Sequence, residues 1–381
     1  MTCLPVIQFI EDAWIIEGVA GLIPRRLSNQ KLTRSACRTP ADVVAWLGAV
    51  QSQDYAGAKW AIGQRAPVTD ADVDRAFDEG SIIRTHILRQ TWHFVAAADL
   101  RWMLALSGPR VNAVNAYYYR QFELDSAIFA RSRAVFERAL QDGAPLTRTE
   151  LGVALRRARI TAEGPRLAFL VMRAELDAVI CSGARRAKQF TYVLLDGRVP
   201  PAKTLDREAA LAELARRYFT SHGPATQRDF AWWSGLTVRD AKAGIELVSP
   251  ALVREQLDGL TYWSVEGRAP AAPPSPTAYL LPNYDEYLIA YKDRGHIAIH
   301  GGAAVTRIKD PFVHHIIIDG RLAGSWKRTA RARSAEVEIS TWAQPTAANK
   351  RALESAVARL GQFLAVPASL APATSSWAGR K

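Results

Sequence analysis

The sequence predicts an α+β fold in which three tandem winged-helix units precede a C-terminal β-barrel-like domain. Capping residues recur ahead of pairs of short helices, hairpin signals follow the helices, and strand-forming segments dominate beyond a Pro/Ala-rich linker at 269–277. The 381 residues are too many for one ordinary core, which also favours several units. The predicted divisions are 1–25 (an N-terminal extension), 26–120, 121–200 and 201–268 (the winged-helix units), 278–366 (the β domain with a terminal helix) and 367–381 (a loose tail).

The N-terminal run at 6–23 is apolar, but Glu11, Asp12 and Glu17 interrupt it. No positive region or small-residue cleavage site frames the run, so it predicts neither a membrane span nor a signal peptide. We expect residues 1–24 to be peripheral and the organised fold to begin near Arg25.

The first winged-helix unit combines helices with a pair of strands. Thr39 and Pro40 mark the start of one helix, and Gly80 closes the next. Segments rich in β-branched and aromatic residues then predict the strand pair that forms the wing. The predicted elements are helices 40–50 and 70–79, strands 82–88 and 91–95, and helix 99–107.

The second unit is marked by a capping box, in which Thr147 and Glu150 open a helix. A long amphipathic helix follows and stops at Ser182-Gly183, and a strand then ends at the turn dipeptide Asp196-Gly197. The predicted elements are helices 151–157 and 164–180 and strand 189–195.

The third unit gives the clearest pattern. Thr226 and Thr237 each precede an aspartate by three residues and open two short helices, which Ser234-Gly235 separates. Such a pair is what a helix-turn-helix needs, and Asp258-Gly259 then marks a hairpin. The predicted elements are helices 206–220, 226–233 and 237–248 and strands 252–257 and 260–265.

Beyond the linker the composition turns to strands, with a hairpin turn at Asp319-Gly320. These segments predict a small sheet or barrel that is followed by one amphipathic helix. The predicted elements are strands 278–281, 287–291, 297–300, 313–318, 322–326 and 337–341, and helix 346–364.

The chain is strongly basic: 49 Lys and Arg against 37 Asp and Glu give a net charge of +12. Such a charge favours polyanions, with nucleic acid as the first candidate, although an Arg-rich soluble protein would carry it too. The three cysteines form no C-x-x-C pair, so the sequence supports neither a disulfide framework nor a zinc site. The cytoplasm is therefore the expected compartment.

Gln51 and Gln53 flank Ser52 directly after the first predicted helix. In an extended segment, side chains at alternate positions point the same way, so the two amides are expected to share a face. Such a pair can hold a water or a base edge without the charge of an acid–base pair. Two polar residues at a helix end give the same tripeptide, so the motif alone predicts little.

Four segments resemble the AlkZ/YcaQ-type winged-helix DNA glycosylases of the Q-x-Q subgroup. The match runs from about Arg26 to Val366 in the order of the family. The middle residue of the motif is usually apolar in that family, and Ser52 departs from the pattern. The matching segments are 49–60 (AVQSQDYAGAKW), 84–95 (RTHILRQTWHFV), 280–285 (LLPNYD) with KDR at 292–294, and 318–326 (IDGRLAGSW).

The resemblance implies a C-shaped arrangement of winged helices and barrel around double-stranded DNA. It also implies a glycosylase that leaves an abasic site, and no lysine stands out as a Schiff-base nucleophile for strand scission. Alkylation at N7 or N3 makes a purine a cationic leaving group, so a neutral amide that orients water is sufficient. We expect Gln53 to position the water and Gln51 to hold the sugar or base, with interstrand crosslinks among the candidate substrates.

Asp54, His86 and His93 are candidates for a supporting role in catalysis. Asp54 should point away from the second glutamine, which favours a structural role. The two histidines fall on predicted strands without a nearby Cys or carboxylate partner, as framework histidines also do. His314 and His315 alternate across a strand, and the chain lacks nucleotide-binding fingerprints, so we expect no metal and no other cofactor.

Basic residues predict a DNA footprint. On a strand, Lys327, Arg331 and Arg333 would share one face and track phosphates, although any single cluster could be a solvated surface. The predicted DNA-binding residues are Arg84, Arg89, Arg156, Arg157, Arg185, Arg186, Lys188, Lys327, Arg328, Arg331 and Arg333.

Two other functions fit parts of the sequence. A non-catalytic winged-helix transcriptional regulator would explain the charge and fold, but regulators usually bind palindromes as two-fold dimers. A scaffold that uses winged helices for protein contacts would show no strong salt dependence of DNA binding. We expect a monomeric enzyme, whose role is either general repair or self-protection by a producer of a DNA-alkylating natural product.

Overall fold

The computed structural model describes residues 21–202, 204–265, 275–297, 313–331 and 333–371. Three segments of the chain share one order of elements: a helix, a two-residue strand, two more helices and a two-stranded hairpin. In each segment the last strand is the middle strand of a three-stranded sheet, between the short strand and the first strand of the hairpin. The fold is a mixed α+β fold.

The first segment follows a helix at 21–29 (α1) and contains the two glutamines. Thr39 and Thr69 both form capping boxes. The sequence analysis missed the helix at 55–63, because six consecutive residues of this helix are buried and leave no amphipathic period. The elements are α2 (Pro40–Leu47), β1 (Val50–Gln51), α3 (Tyr55–Gly63), α4 (Asp70–Glu79), β2 (Ile82–His86) and β3 (Trp92–Ala96).

A long helix with Pro109 in its interior leads from the first segment to the second, and it extends well beyond the predicted 99–107. Thr147 opens its helix with the predicted capping box. The elements are α5 (Ala97–Gln121), α6 (Ser126–Leu140), β4 (Leu146–Thr147), α7 (Arg148–Arg157), α8 (Gly164–Leu176), β5 (Ile180–Arg186), β6 (Gln189–Leu194) and α9 (Leu195–Arg198).

Two predictions for the second segment are wrong. The helix predicted at 164–180 ends at Leu176, Ala178 has a φ of 57°, and β5 follows. The apolar run continues through this turn, so hydrophobic periodicity does not show where the helix ends. Asp196-Gly197 lies in the short helix α9 and not in a tight turn.

In the third segment, the ends of all five predicted elements agree with the structure to within one residue, and the short strand β7 was not predicted. Thr226 and Thr237 cap their helices with the expected side-chain hydrogen bonds, and Gly235 ends the first of these helices with a φ of 68°. The elements are α10 (Arg207–Ser221), β7 (Ala225–Thr226), α11 (Gln227–Ser234), α12 (Val238–Val248), β8 (Leu252–Leu257) and β9 (Leu260–Val265).

The C-terminal part is a five-stranded sheet that curls into a half-barrel. Its strands pair in chain order and are antiparallel, except for the last pair, which is parallel. The elements are β10 (Ala278–Leu281), α13 (Glu286–Ile289), β11 (His314–Ile318), β12 (Arg321–Ala330), β13 (Ala335–Thr341), α14 (Ala347–Leu364) and β14 (Ala368–Leu370).

Several predictions for this part need correction. The strand predicted at 287–291 is the helix α13, because the carboxylate of Asp285 accepts a hydrogen bond from Tyr287 N and caps it. Ile297 lies in a 3₁₀ turn, and the rest of the predicted strand 297–300 lies outside the described residues. The tail expected to be loose begins with the strand β14.

The expected peripheral extension is also wrong where it can be checked. Residues 21–24 lie in α1, and Leu22 and Ile23 are buried. Arg26 is buried with its guanidinium 3.9 Å from the Tyr291 ring, so α1 belongs to the core. Within the described ranges, no helix is long and apolar enough to cross a membrane.

A buried ion pair joins the first segment to the C-terminal part. Both guanidinium Nη atoms of Arg65 donate to the Asp285 carboxylate, at 2.8 and 2.7 Å, and both side chains are fully buried. The Arg65 Nε donates to the carbonyl of Gln30, just beyond α1, at 2.8 Å. One arginine thus links α1, the end of α3 and the cap of α13.

Arg65→Met should lower the free energy of unfolding by about 3–5 kcal/mol, because it leaves Asp285 as a buried carboxylate without its partner. Urea unfolding followed by circular dichroism measures this loss. The matched control, Arg216→Met, breaks an exposed pair with Glu213 and should cost less than about 1 kcal/mol. Equal losses in the two variants would show that burial of the Arg65 pair does not matter.

Candidate active site

The glutamine motif lies where the first segment packs against residues 280–294. Gln51 pairs with His93 across β1 and β3, and its backbone N–H donates to Glu286 Oε1 at 3.0 Å. The indole N–H of Trp60, on α3, donates to the carbonyl of Leu280 at 2.6 Å. The motif is therefore held from both sides by contacts to the C-terminal part.

Glu286 is the central acceptor beneath the motif and is fully buried. Its Oε2 accepts a hydrogen bond from the Trp233 indole at 3.0 Å and lies 3.6 Å from His222 Nε2. Burial favours a higher pKa for Glu286, but His222, the Gln51 N–H and the charge of Arg89 outweigh it and lower the pKa. An ionised Glu286 can therefore accept the hydrogen bond of the Gln51 N–H and fix the backbone of the motif.

The Gln51 side chain lines a cavity of about 190 Å³. Arg89 Nη2 donates to Gln51 Oε1 at 2.9 Å, so the carboxamide oxygen already accepts one hydrogen bond, and the NH₂ group of the same amide is a donor. Burial lowers the pKa of Arg89. Other residues around the cavity include Arg294, Asn283, Trp232 and Ile289.

The two glutamines have different surroundings. Gln51 is only 7% exposed, whereas Gln53 lies beyond the end of β1 and is exposed, with its Oε1 3.4 Å from Trp92 N. Ser52 between them is fully buried, and its N–H donates to the carbonyl of Trp92 at 2.7 Å. One amide therefore belongs to the cavity wall, and the other is open to a large ligand.

Asp54 caps α3, since its carboxylate accepts from Gly57 N at 3.1 Å. A Cβ at Gly57 would lie 2.6 Å from the Asp54 carboxylate and 3.1 Å from Pro282, so this helix start packs closely on the C-terminal part. The position supports the structural role that the sequence favours.

His86 has a carboxylate partner that the sequence analysis did not find. Its Nδ1 lies 2.5 Å from Glu175 on α8, and its ring packs on Trp92 with centroids 4.3 Å apart. His93 is fully buried with Nδ1 2.9 Å from the carbonyl of Thr91, and burial, aided by Arg89, lowers its pKa well below the usual value. Both histidines are buried beside the motif.

Arg84 is buried, so it does not present its guanidinium to DNA as predicted. The guanidinium lies between the rings of Trp92 and Phe190, 4.4 Å from each centroid. Its Nε donates to the carbonyl of Ser52 at 3.2 Å. A strand alternates between faces, and the sequence does not reveal that both faces of β2 are covered. Arg84 therefore supports the motif loop.

The predicted basic clusters of the second segment are only partly free. Arg185 lies 2.7 Å from Asp74, and Arg186 lies 2.8 Å from Glu150. Carboxylates thus partly neutralise both arginines. The exposed members of these clusters are Arg156, Arg157, Arg186 and Lys188.

The basic cluster of the C-terminal sheet differs from the prediction. Lys327 and Arg328 are exposed on β12, but the strand ends before Arg331 and Arg333, so these residues do not share one strand face. Arg331 also forms an ion pair of 2.9 Å with a carboxylate of β13. The hairpin turns back at this point, which ends the alternation assumed from the sequence.

The sequence analysis did not identify Glu286, Trp233 or Arg294 as site residues. Of these three residues, only Glu286 stands out in the sequence, because it is a charged residue, next to Asp285, in the mainly apolar segment 278–291. These residues reach the motif only through contacts between distant segments.

A family model described as DNA glycosylase AlkZ-like matches residues 44–363. Among solved structures, the Streptomyces sahachiroi DNA glycosylase AlkZ matches with a TM-score of 0.75 and 19% sequence identity, covering 92% of this chain and 98% of that chain. At this identity the structural match shows a shared fold. No curated protein matches the sequence significantly.

Buried His93 should make stability depend on pH. Because its pKa is lowered in the folded state, the unfolded chain takes up a proton below about pH 6.5 that the folded chain does not. The free energy of unfolding should therefore fall by about 1 kcal/mol per pH unit from this group as the pH decreases. Urea titrations at pH 7.5, 6.5 and 5.5 measure this slope.

His93→Gln removes this titrating group, while buried His222 still titrates in both proteins. The variant should therefore lose less stability than the wild type between pH 6.5 and 5.5. Parallel pH profiles would mean that the pKa of His93 is the same in the folded and unfolded states, and would contradict its lowering by burial.

Proposed function

This chain belongs to the AlkZ-like DNA glycosylase family and is a DNA glycosylase, and we propose that it excises purines made cationic by alkylation at N7 or N3. The observation that carries the proposal is the pair of neutral glutamines in the motif, with Gln51 in the cavity wall and Gln53 exposed beside it. An amide can orient water but cannot take up its proton as a carboxylate does, so the leaving group must already be activated. Hydrolysis of the N-glycosidic bond then leaves an abasic site.

We assign the water to Gln53 and the sugar or base to Gln51. Exposure of Gln53 supports the first role, since a duplex can reach its amide. Arg89 donates to the amide oxygen of Gln51 and so orients this amide, which supports a donor role for the Gln51 NH₂ group. Fixed donors and acceptors of this kind stabilise a transition state without reorganisation.

Double-stranded DNA is the substrate in this proposal, and interstrand crosslinks are included. The shared element order supports three winged-helix units at 26–120, 121–200 and 201–268, which would form a C shape around the duplex together with the β domain at 278–366. An asymmetric set of units suits a monomer. Repair of this kind acts on the nucleoid in the cytoplasm.

The proposed chemistry is hydrolysis without strand scission. Scission by a glycosylase needs an amine nucleophile at the site. Lys59, on α3, is buried and held by Asp70 at 2.7 Å and Asp74 at 3.0 Å, which supports a structural role for this lysine near the motif.

Wild-type protein should release the base from a duplex with one N7-methylguanine, and Gln53→Ala should lower the single-turnover rate by roughly 100-fold or more. Alkaline cleavage of the abasic site and gel electrophoresis measure the rate. Gln121→Ala, which alters an exposed glutamine at the end of α5, is the matched control and should keep full activity. Equal rates for all three proteins would show that Gln53 does not position the attacking water.

The free cations should track the DNA backbone. Arg328→Gln removes an exposed charge on β12, so it should reduce the slope of log K against log salt by about 1. Arg186→Gln removes a charge that Glu150 already engages, and its slope should change less. Fluorescence anisotropy over a salt series measures both slopes. A larger change in slope for Arg186→Gln than for Arg328→Gln would mean that the second segment, and not β12, contacts the DNA backbone.

A further inference from the structure

Two arginines line the cavity beside Gln51. Arg89 and Arg294 both line it, and the Nε atom of each is buried without a partner among the described residues. Among the described residues that line the cavity, none is an Asp or Glu. Burying a guanidinium without enough acceptors is costly, so an anionic group that enters this cavity would be favoured by the two arginines.

The third segment holds Arg89 in place. Gly235 approaches the Leu88 backbone so closely that a Cβ on the glycine would lie 2.1 Å from the Leu88 carbonyl oxygen. Leu88 itself has a φ of 61°, which turns the chain just before Arg89. Arg89 is thus presented to the cavity by a turn that α11 and its C-cap support.

The same helix holds Arg294. Asp229 on α11 accepts hydrogen bonds from Lys292 N at 2.8 Å and Asp293 N at 3.3 Å. The Trp232 indole donates to the carbonyl of Ile289 at 3.0 Å. Two arginines from distant parts of the chain therefore meet at one cavity because α11 orders both segments.

The size and donors of the cavity suit a small anion. About 190 Å³ is well below the roughly 300 Å³ at which pockets for drug-sized ligands begin, so the cavity takes a group smaller than a nucleotide. Guanidinium groups match phosphate oxygens in geometry. The amides of Gln51 and Asn283 can supply neutral donors at the same cavity.

We propose that this cavity is a phosphate subsite, which takes one backbone phosphate next to the target nucleotide and sets its sugar against the glutamines. This inference rests on the proposed function. Burial lowers the pKa of both Arg89 and Arg294, and a bound phosphate would offset that penalty. It would also neutralise a positive site that otherwise repels a cationic base.

The test uses a duplex with a tetrahydrofuran abasic analogue, so binding is measured without any excision. Single methylphosphonates replace the phosphates around the analogue one at a time, and anisotropy gives each affinity. For the wild type, one position should weaken binding about 10-fold. Arg294→Gln should bind the unmodified duplex less tightly and lose the sensitivity at that position, and Arg294→Lys should recover part of it.

The matched control is Arg228→Gln, which removes an exposed charge from α11 and should keep the position-specific sensitivity. A wild type without a sensitive position, or an Arg294→Gln that keeps the sensitivity, would overturn the subsite. Inorganic phosphate that stabilises the free protein without competing for DNA would identify a free-anion site and also overturn it. Excision of N7-methylguanine tests the proposed function separately, because no binding measurement depends on it.

Discussion

The buried pair between Arg65 and Asp285 is the interaction on which the site depends. Asp285 is held by an arginine of the first segment, and its neighbour Glu286 holds the backbone of Gln51. Two consecutive carboxylates at the start of α13 thus both bind the first segment. Burying such charges is costly, and the cost is offset only when both oxygens of each carboxylate find donors, as they do here. The junction therefore adds to the pairing of β1 with β3 in fixing the geometry of the motif.

The third segment builds the site without supplying a glutamine. Trp233 donates to Glu286 beneath the motif, Asp229 fixes the backbone before Arg294, and Gly235 packs on the turn before Arg89. All these contacts come from α11 and its C-cap. In a helix-turn-helix the second helix of the pair enters the DNA groove, and α11 is the first helix, so its buried face is free to organise the cavity.

Much of the fold was predictable, because its helices begin with strong local signals. The threonine caps at 39, 147, 226 and 237 and the glycine after α11 mark boundaries by hydrogen bonds within a few residues. Local patterns failed where burial is complete on all sides, as in α3 and α13. The glutamines were proposed as site residues through family resemblance, and their role stays a prediction. Glu286 was not, because its contact with Gln51 spans 235 residues. Arg84 was misassigned since charge alone does not reveal burial.

The three segments resemble interchangeable modules, but the contact between Gly235 and Leu88 argues otherwise. The backbone carbonyl of Leu88, in the first segment, packs against Gly235, in the third segment, and leaves no room for a side chain at position 235. Such a contact cannot be rebuilt by surface substitutions, because it requires one turn conformation on each side. Recombination that exchanged the third segment with that of a distant relative would have to carry both turns together. Although the three segments share one order of elements, the first and third segments are therefore expected to evolve as one unit.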